Sequence, residues 1–316
     1  MELLFILDPL DDLKAYKDSS VAMMREAASR GHALWACEQG DLAWSRGGVE
    51  ASVQRLRVAG DDHGWYAVEE QARRRLTGFD ATLMRKDPPF DLEYLYSTHL
   101  LELAEAEGAR VVNSPRALRD FNEKLAIARF PEFTAPSLVT RKEAALREFL
   151  AEHGDIVLKP LDGMGGHGVF RVHRGDHNIG VILETLTHYG SRSVMAQRYL
   201  PEIAQGDKRV LVIDGAPVPW CLARIHRPGE TRGNLAAGGT GVAQPLSPRD
   251  REIAGALGPR LKAQGLMLVG LDVIGDCLTE VNVTSPTCMV EIAQQTGFNV
   301  AGMMLDALER FVRGEG

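Results

Sequence analysis

The first third of the chain alternates short apolar runs with amphipathic segments. Two of the amphipathic segments end at a glycine, Gly31 and Gly108, as helices commonly do. The alternation predicts an α/β layer around a largely parallel sheet. The predicted strands are 3–7, 33–37, 81–84 and 110–113, and the predicted helices are 20–30, 92–107 and 116–130, the last opened by Ser114-Pro115.

A smaller α+β module follows from residue 137. Strands and helices alternate again in this module. Two of its strands, however, are joined by a glycine-rich loop and not by a helix. The predicted strands begin at 137 and cover 156–159, 169–172 and 193–199, and the predicted helices are 142–153 and 181–188.

The last third contains two predicted β-hairpins. Asp214-Gly215 and Gly275-Asp276 interrupt apolar runs, and such dipeptides favour tight hairpin turns. Between the hairpins, 226–241 contains five glycines and no periodicity, which is typical of a functional lid or of disorder. We predict three domains: a parallel-sheet α/β domain at 1–122, a glycine-loop module at 123–200 and a C-terminal module at 201–316.

Composition and charge narrow the function classes. The 316 residues are 45% hydrophobic and 25% charged, as in an ordinary globular protein. The net charge of -7 argues against a general nucleic-acid or anionic-membrane surface, because both need a positive face. No apolar run reaches the ~18 residues of a membrane span, and the four cysteines lack metal-binding spacing. We therefore expect reduced thiols in a cytoplasmic protein.

The most informative motif is a glycine loop between two predicted strands. Its G-x-G-x-x-G spacing matches a dinucleotide-binding loop, but that loop needs a following helix, and a strand follows here. It is not a P-loop, and its lysine precedes the loop, unlike the lysine of protein kinases. A flexible surface turn is the alternative to a phosphate-binding loop built from Lys159, Gly163, Gly165 and Gly166.

Three oxygen donors occur on the second predicted hairpin. Glu280 and Asn282 are two residues apart, which places them on one face of a strand. Asp272 lies on the same face if it pairs opposite Glu280 across the hairpin. That pairing requires that the connection between the two strands has an odd number of residues and is centred on Asp276. Hard oxygen ligands suit Mg²⁺ that bridges nucleotide phosphates. The alternative is a solvated polar face of an edge hairpin.

Four basic side chains are candidates for binding or stabilising negative charge. Lys124 and Lys159 can neutralise phosphate oxygens, although most lysines are only surface residues. Arg209 and Arg224 lie on the two arms of the first hairpin and can stabilise a transferring phosphoryl group. A salt bridge to Asp207 is the competing use.

Two further segments are candidates for ligand contacts. Arg85 follows the strand at 81–84, at the end where open α/β sheets bind ligands, and can hold a substrate carboxylate. The run 195–201 is predicted to lead from a strand into a connector whose backbone can pair with an adenine edge.

The order of these features resembles the ATP-grasp superfamily, and within it the bacterial glutathione synthetases over essentially the whole chain. The fold implied is an N-terminal parallel-sheet α/β domain followed by a two-part ATP-grasp fold. His167 departs from the family pattern, in which we expect a small residue. The segments that carry the resemblance are 84–90, 122–125, 158–166, 206–212, 230–239 and 271–287.

The resemblance implies ligation of γ-glutamylcysteine to glycine with ATP and Mg²⁺ or Mn²⁺, through an acyl phosphate. It also implies a homo-oligomer, a tetramer in this family. Carried over by position, Lys124, Lys159, Gly163, Gly165, Gly166, Gln197, Tyr199 and Leu200 are the nucleotide contacts; Arg85, Asn282, Ser285 and Thr287 the substrate contacts; Asp272, Glu280 and Asn282 the metal ligands; and Arg209 and Arg224 the catalytic charge stabilisers.

Two alternatives to this activity stay open at the level of sequence. A ligase for another carboxylate and amine would share the fold and the metal site. A nucleotide-binding regulatory protein without turnover would be expected to lack a metal ligand or an arginine, and this chain lacks neither.

Overall fold

The computed structural model describes residues 1–226 and 239–315. Within them the chain forms three β-sheets of seven, four and five strands. Each predicted domain contains one of these sheets, and the boundaries at 122 and 200 stay predictions. The predicted lid at 226–241 falls mostly on residues 227–238, which lie outside the described residues.

The first sheet joins a parallel part to an antiparallel part. Its elements are β1 Glu2–Leu7, α1 Ser19–Ser29, β2 Ala33–Glu38, β3 Leu42–Ser45, β4 Gly48–Val58, β5 Tyr66–Arg75, β6 Ala81–Met84, α2 Leu92–Ala106, β7 Val111–Val112 and α3 Pro115–Asp120. β1 pairs in parallel with β2 and β6, and β6 with β7, which confirms the parallel layer. β4 pairs antiparallel with β2, β3 and β5, so the expectation of a largely parallel sheet was wrong for this half.

The predicted helix at 116–130 was wrong in its second half. α3 ends at Asp120, and a short 3₁₀ turn covers Leu125–Arg129. Between α3 and this turn, the backbone carbonyl oxygen of Glu123 accepts a hydrogen bond from Val281 N. The Glu123 carboxylate accepts another from Val283 N, two residues further along the chain. These contacts draw the backbone out of the helix, and no local sequence signal announces them.

The middle sheet has the strand order β10-β9-β11-β8 and is entirely antiparallel. Its elements are β8 Ser137–Thr140, α4 Glu143–His153, β9 Asp155–Pro160, β10 Phe170–His173, α5 Ile179–Thr187 and β11 Val194–Arg198. The prediction of strand, glycine loop and strand is confirmed, because β9 and β10 pair directly on either side of the loop.

The third sheet has the order β14-β13-β12-β15-β16, also antiparallel. Its elements are β12 Asp207–Ile213, β13 Ala216–Ile225, β14 Thr240–Pro245, α6 Pro248–Lys262, β15 Leu268–Ile274, β16 Cys277–Asn282, α7 Met289–Thr296 and α8 Val300–Arg313. Both predicted hairpins are confirmed. Asp214 and Gly215 have φ of 50° and 81°, the left-handed pair that a tight type I′ turn requires.

Two of the three apolar clusters draw residues from both the first and the third sheets, and the third cluster belongs to the middle sheet. Together they bury most of the large apolar side chains, such as Phe5, Tyr94 and Met304. Cys37, Cys221, Cys277 and Cys288 are free thiols. Among the described helices, none is both long and apolar enough to cross a bilayer.

Candidate active site

A cavity of about 560 Å³ lies where the three sheets meet. Every sequence-predicted site residue except Arg85 contributes to its wall, although these residues are spread over more than 160 positions of the chain. Those lining it are Lys124, Lys159, Gly163, Gly165, Gly166, Gln197, Tyr199, Leu200, Arg209, Arg224, Asp272, Glu280, Asn282, Ser285 and Thr287.

The glycine loop forms one wall of the cavity. Gly165 and Gly166 have φ of 61° and 79°, which L side chains adopt only with strain. A Cβ on Gly163 would lie 2.9 Å from Pro160 Cγ and 3.1 Å from the carbonyl oxygen of His167. The loop therefore needs glycine for two reasons, backbone conformation and close approach.

Two lysines and one carboxylate face each other across the cavity. Lys124 and Lys159 are both buried, and their Nζ atoms lie 3.9 and 3.8 Å from Glu280 Oε1. Lys124 Nζ also donates to the carbonyl oxygen of Gly163, which connects the loop to the segment before the middle sheet. Two desolvated ammonium groups at this distance provide a strong site for phosphate oxygens.

The second hairpin places Asp272 directly opposite Glu280, which is the register that Asp272 needs to share a face with Glu280 and Asn282. The predicted odd-length connection was wrong. The turn has two residues, Gly275 and Asp276, and a bulge at Thr279 supplies the extra residue. Asn282 lies opposite Gly270 and donates its amide N–H to the carbonyl oxygen of that residue, which leaves the amide oxygen for another partner.

Arg209 and Arg224 take part in a buried ion-pair network with two aspartates. Arg209 Nε lies 2.6 Å from Asp272 Oδ1, and Arg224 lies 2.9 Å from Asp272 Oδ2 and 2.7 Å from Asp207 Oδ2. Burial raises the pKa of Asp272, but the two guanidinium groups outweigh burial and lower it below its usual range. For Asp207, burial dominates over Arg224 and raises the pKa to about 6.

Asp207 was expected from the sequence only as a salt-bridge partner of Arg209 or Arg224. It also lines the cavity, which the sequence did not predict. The structure shows that Arg224 uses both aspartates at once. The missed signal is the register of the first hairpin, which sets Asp207 directly opposite Arg224.

The connector after β11 forms another part of the wall. Gln197 is buried in β11, and its amide donates to Ser137 Oγ at 3.2 Å. Tyr199 N donates to the carbonyl oxygen of Asp155, which fixes the start of the connector. Arg171 was missed by sequence reasoning. Its guanidinium lies over the Tyr199 ring, 3.6 Å from the ring centre, and Arg171, Tyr199 and Leu200 all line the cavity.

Arg85 lies beneath the cavity wall and does not line it. Its Nε donates to Ser20 Oγ and its terminal nitrogen to the carbonyl oxygen of Pro286, both at 3.0 Å. Burial lowers the pKa of this guanidinium. In this arrangement Arg85 supports the loop that carries Ser285 and Thr287, and Asp87 from the same segment reaches the cavity.

Glu123 is a further site residue that sequence reasoning did not single out. Its Oε1 accepts hydrogen bonds from Val283 N at 2.9 Å, Thr284 N at 3.1 Å and Thr284 Oγ1 at 2.8 Å. Burial raises its pKa, and the Thr284 bonds oppose that shift. Glu123 thereby fixes the segment that carries Lys124 against the end of β16.

The donor set fits a hard cation that is shared with phosphate. Asp272, Glu280 and Asn282 supply only oxygen ligands. Among residues 1–226 and 239–315, no group of three His, Cys, Asp or Glu is arranged to hold a metal. Two carboxylates and an amide match the way Mg²⁺ is held in nucleotide sites, where phosphate oxygens and water complete the coordination.

Comparison with known proteins gives the family. Residues 1–119 match the N-terminal domain model of prokaryotic glutathione synthetase, and residues 123–297 match its ATP-grasp domain model. The chain belongs to the prokaryotic glutathione synthetase family. Curated glutathione synthetases of Nitrosomonas europaea and Ralstonia nicotianae are 66% and 63% identical to it, over 98% of this chain and 98% and 96% of theirs.

Solved structures confirm the ATP-grasp fold of this family member. The D-cycloserine synthetase DcsG superposes with a TM-score of 0.69 at 15% identity, over 98% of this chain and 99% of its own. The ATP-grasp ligase PsnB, complexed with its precursor peptide and AMPPNP, gives 0.62 at 19% identity, over 98% of both chains. At these identities the likeness establishes the fold alone.

Proposed function

We propose that this chain is an ATP-dependent ligase that joins γ-glutamylcysteine to glycine and forms glutathione, ADP and phosphate. The observation that carries the proposal is the cavity itself. It brings the glycine loop, two buried lysines and the Asp272–Glu280 pair together in a member of the prokaryotic glutathione synthetase family.

The reaction proceeds in two steps, phosphoryl transfer and amide formation. The cysteinyl carboxylate oxygen attacks the γ-phosphorus of ATP, the bond to the bridging oxygen breaks, and ADP leaves. The glycine amine then attacks the acyl carbon, loses a proton and expels phosphate. Both steps move negative charge through the centre of the cavity, so catalysis depends on fixed positive groups there.

The chain's own residues supply those groups. Lys124, Lys159 and the backbone N–H groups at Gly163, Gly165 and Gly166 hold the phosphates. Arg171 and Tyr199, with Gln197 and Leu200, form the part of the wall that holds the adenine. Arg209 and Arg224 stabilise the charge on the transferring phosphoryl group. Ser285, Thr287 and Asn282 contact the dipeptide, and Arg85 acts by supporting their loop.

Asp272, Glu280 and Asn282 are the residues that would hold Mg²⁺ or Mn²⁺. When bound, such a cation neutralises phosphate oxygens and orients the triphosphate. The network with Arg209 and Arg224 keeps Asp272 ionised, which is the form a cation requires.

The segment 226–241 acts as a lid in this proposal. An acyl phosphate is lost to any water that reaches it, so the cavity has to close around it.

The proposal also includes a cytoplasmic homo-oligomer, a tetramer, that binds neither nucleic acid nor membrane.

The test measures phosphate release from ATP with γ-glutamylcysteine, with and without glycine, and with other acceptor amino acids. Release that requires both components, together with glutathione detected by mass, supports the proposal. Release with a different carboxylate and amine would identify another ATP-grasp ligase. Tight nucleotide binding without release under any condition would identify a regulatory protein.

A further inference from the structure

The starts of two helices form a part of the cavity wall that the proposed reaction does not use. Lys17 and Asp18 directly precede α1, and Glu291 lies in the first turn of α7. Met289 N donates to Ser19 Oγ at 3.3 Å, which holds the two helix starts together. Lys17, Asp18 and Glu291 all line the cavity, so a bound substrate can reach them.

This part of the wall adjoins the groups that are proposed to stabilise phosphoryl transfer. Cys288, the residue before α7, lines the cavity. Burial raises the pKa of its thiol, Arg209 and Arg224 oppose that shift, and Glu291 adds to it. Cys288 is therefore within electrostatic range of both the arginines and Glu291. A substrate whose reacting carboxylate lies at the arginines can extend along Cys288 to Glu291.

Glu291 has a buried oxygen without a partner. Its Oε2 atom has no hydrogen-bond partner among residues 1–226 and 239–315. Burial raises the pKa of this carboxyl group, whereas its own backbone N–H and the charge of Lys17 oppose that shift. A buried polar oxygen is destabilising unless it accepts a hydrogen bond. Glu291 is therefore suited to a donor that a ligand brings into the cavity.

Lys17 is the matching basic group. Within the described part of the chain, no carboxylate pairs with its Nζ atom at 4.0 Å or less, and its ammonium group lies 5.9 Å from the centre of the Tyr16 ring. The neighbouring Asp18 is already in use, because its Oδ1 accepts hydrogen bonds from two backbone N–H groups of α1 at 2.7 and 2.9 Å. Lys17 and Glu291 thus present opposite charges that affect each other without forming a salt bridge.

The γ-glutamyl end of the proposed substrate carries the complementary charges. Its γ-carboxylate forms the amide bond to cysteine, so its α-ammonium and α-carboxylate groups are both free. The isomer α-glutamylcysteine also has a free ammonium group, but its α-carboxylate is consumed in the amide bond. A site that binds both groups on the α-carbon therefore distinguishes the two isomers.

We propose that Glu291 accepts hydrogen bonds from the α-ammonium group of the γ-glutamyl residue and that Lys17 binds its α-carboxylate, so that this pair selects the γ-linked dipeptide. The inference rests on the proposed function, because it assigns the end of that substrate which does not react. Binding of this end also directs the cysteinyl carboxylate towards Arg209 and Arg224.

Matched substrate analogues test each contact separately. Glutarylcysteine lacks the α-ammonium group, and 4-aminobutyrylcysteine lacks the α-carboxylate. Glu291→Gln is expected to lower kcat/KM for γ-glutamylcysteine roughly thirtyfold, the effect of one lost charged hydrogen bond, and to leave kcat/KM for glutarylcysteine within about twofold of wild type. Lys17→Met is expected to show the same loss with γ-glutamylcysteine and little loss with 4-aminobutyrylcysteine. Each variant is expected to keep its loss with the other analogue.

Controls separate substrate binding from damage to the fold. Glu148→Gln on α4 and Lys142→Met at its start make the same chemical changes at exposed positions outside the cavity wall and are expected to match wild type. Circular dichroism establishes that each variant is folded, and KM for ATP is expected to be unchanged in all four. A purely structural role of Glu291 in α7 would lower kcat/KM equally for all three dipeptide substrates.

Two results would overturn the proposal while the ligase activity stands. One is a kcat/KM of Glu291→Gln for γ-glutamylcysteine within about twofold of wild type, and the other is an equal loss with γ-glutamylcysteine and glutarylcysteine. The corresponding results for Lys17→Met would overturn the assignment of the α-carboxylate. A wild-type chain that does not turn over γ-glutamylcysteine with any acceptor would instead refute the proposed function, and this proposal with it.

Discussion

Asp272 and Glu280 look equivalent in the sequence, and the structure predicts that their removal has different effects on stability. Asp272 is 4% exposed and holds two buried guanidinium groups at 2.6 and 2.9 Å. Asp272→Ala leaves Arg209 without these contacts, while Arg224 keeps Asp207 at 2.7 Å. Removal of one partner from a buried pair costs about 3–5 kcal/mol, and the remaining aspartate puts the expected loss near the lower end, about 3 kcal/mol.

Glu280→Ala is the matched comparison. The Glu280 side chain is 22% exposed, and its nearest ammonium groups lie 3.8 and 3.9 Å away, beyond hydrogen-bonding distance. We expect it to lower the free energy of unfolding by less than Asp272→Ala does, because neither ion pair is close enough for a hydrogen bond, although the two buried lysines lose their shared carboxylate. Both variants are expected to lose turnover, because each removes a proposed metal oxygen.

The assay is urea unfolding followed by circular dichroism, with turnover measured on the same preparations. Asp272→Asn is the isosteric control and is expected to lie between Asp272→Ala and wild type, because it keeps an acceptor oxygen but not the charge. The reasoning fails if Asp272→Ala unfolds within about 1 kcal/mol of wild type, or if Glu280→Ala is equally destabilised.

Three other predictions follow from single contacts. Glu123→Ala should lower the free energy of unfolding by about 3 kcal/mol and lower kcat, because it leaves two buried N–H groups and a hydroxyl unpaired. Glu123→Gln keeps an acceptor oxygen and should cost about 1 kcal/mol. Equal losses in the two variants would contradict this prediction. Gly163→Ala should raise KM for ATP through its contacts at 2.9 and 3.1 Å, and Gly180→Ala, whose Cβ meets nothing closer than 3.6 Å, should leave KM unchanged. Burial and Glu102 raise the pKa of Glu105 to about 7, so the stability that this group contributes should be lost as pH rises from 4.5 to about 7. Thermal melts of Glu105→Gln across this range should lack that part of the wild-type slope, and profiles that run parallel would refute the assignment.

The sequence predicted those parts of the molecule that local patterns encode. Glycine spacing, the turn dipeptides and the period of two along β16 were sufficient to place the glycine loop, both hairpins and the shared face of Glu280 and Asn282. The pairing of Asp272 with Glu280 also depends on the bulge at Thr279, which no local pattern announced. The parts that failed depend on distant partners. The break after α3 results from Glu123 binding to residues 160 positions away. β4 and β5 were missed because charged residues interrupt their apolar positions, which removes the continuous run that marked the other strands.

Site residues follow the same division. Lys124, Lys159 and the glycines came from motifs, whereas Arg171 belongs to the site only because β10 lies beside the connector that carries Tyr199. Arg85, in contrast, was predicted from the sequence as a site residue but does not line the cavity. Its position at the end of β6 was predicted, but the direction of its side chain depends on Ser20 and Pro286 from other parts of the chain.

The charged pairs of the third sheet also affect how the chain folds. Arg209 lies opposite Asp272 across β12 and β15, and Asp207 lies opposite Arg224 across β12 and β13. If β12 slipped by one residue, Arg209 would face Leu271 or Val273, and its charge would be buried against a hydrocarbon side chain. Three of these side chains, Arg209, Arg224 and Asp272, are also proposed to act in turnover, so the same charges that serve catalysis disfavour misaligned sheets during folding.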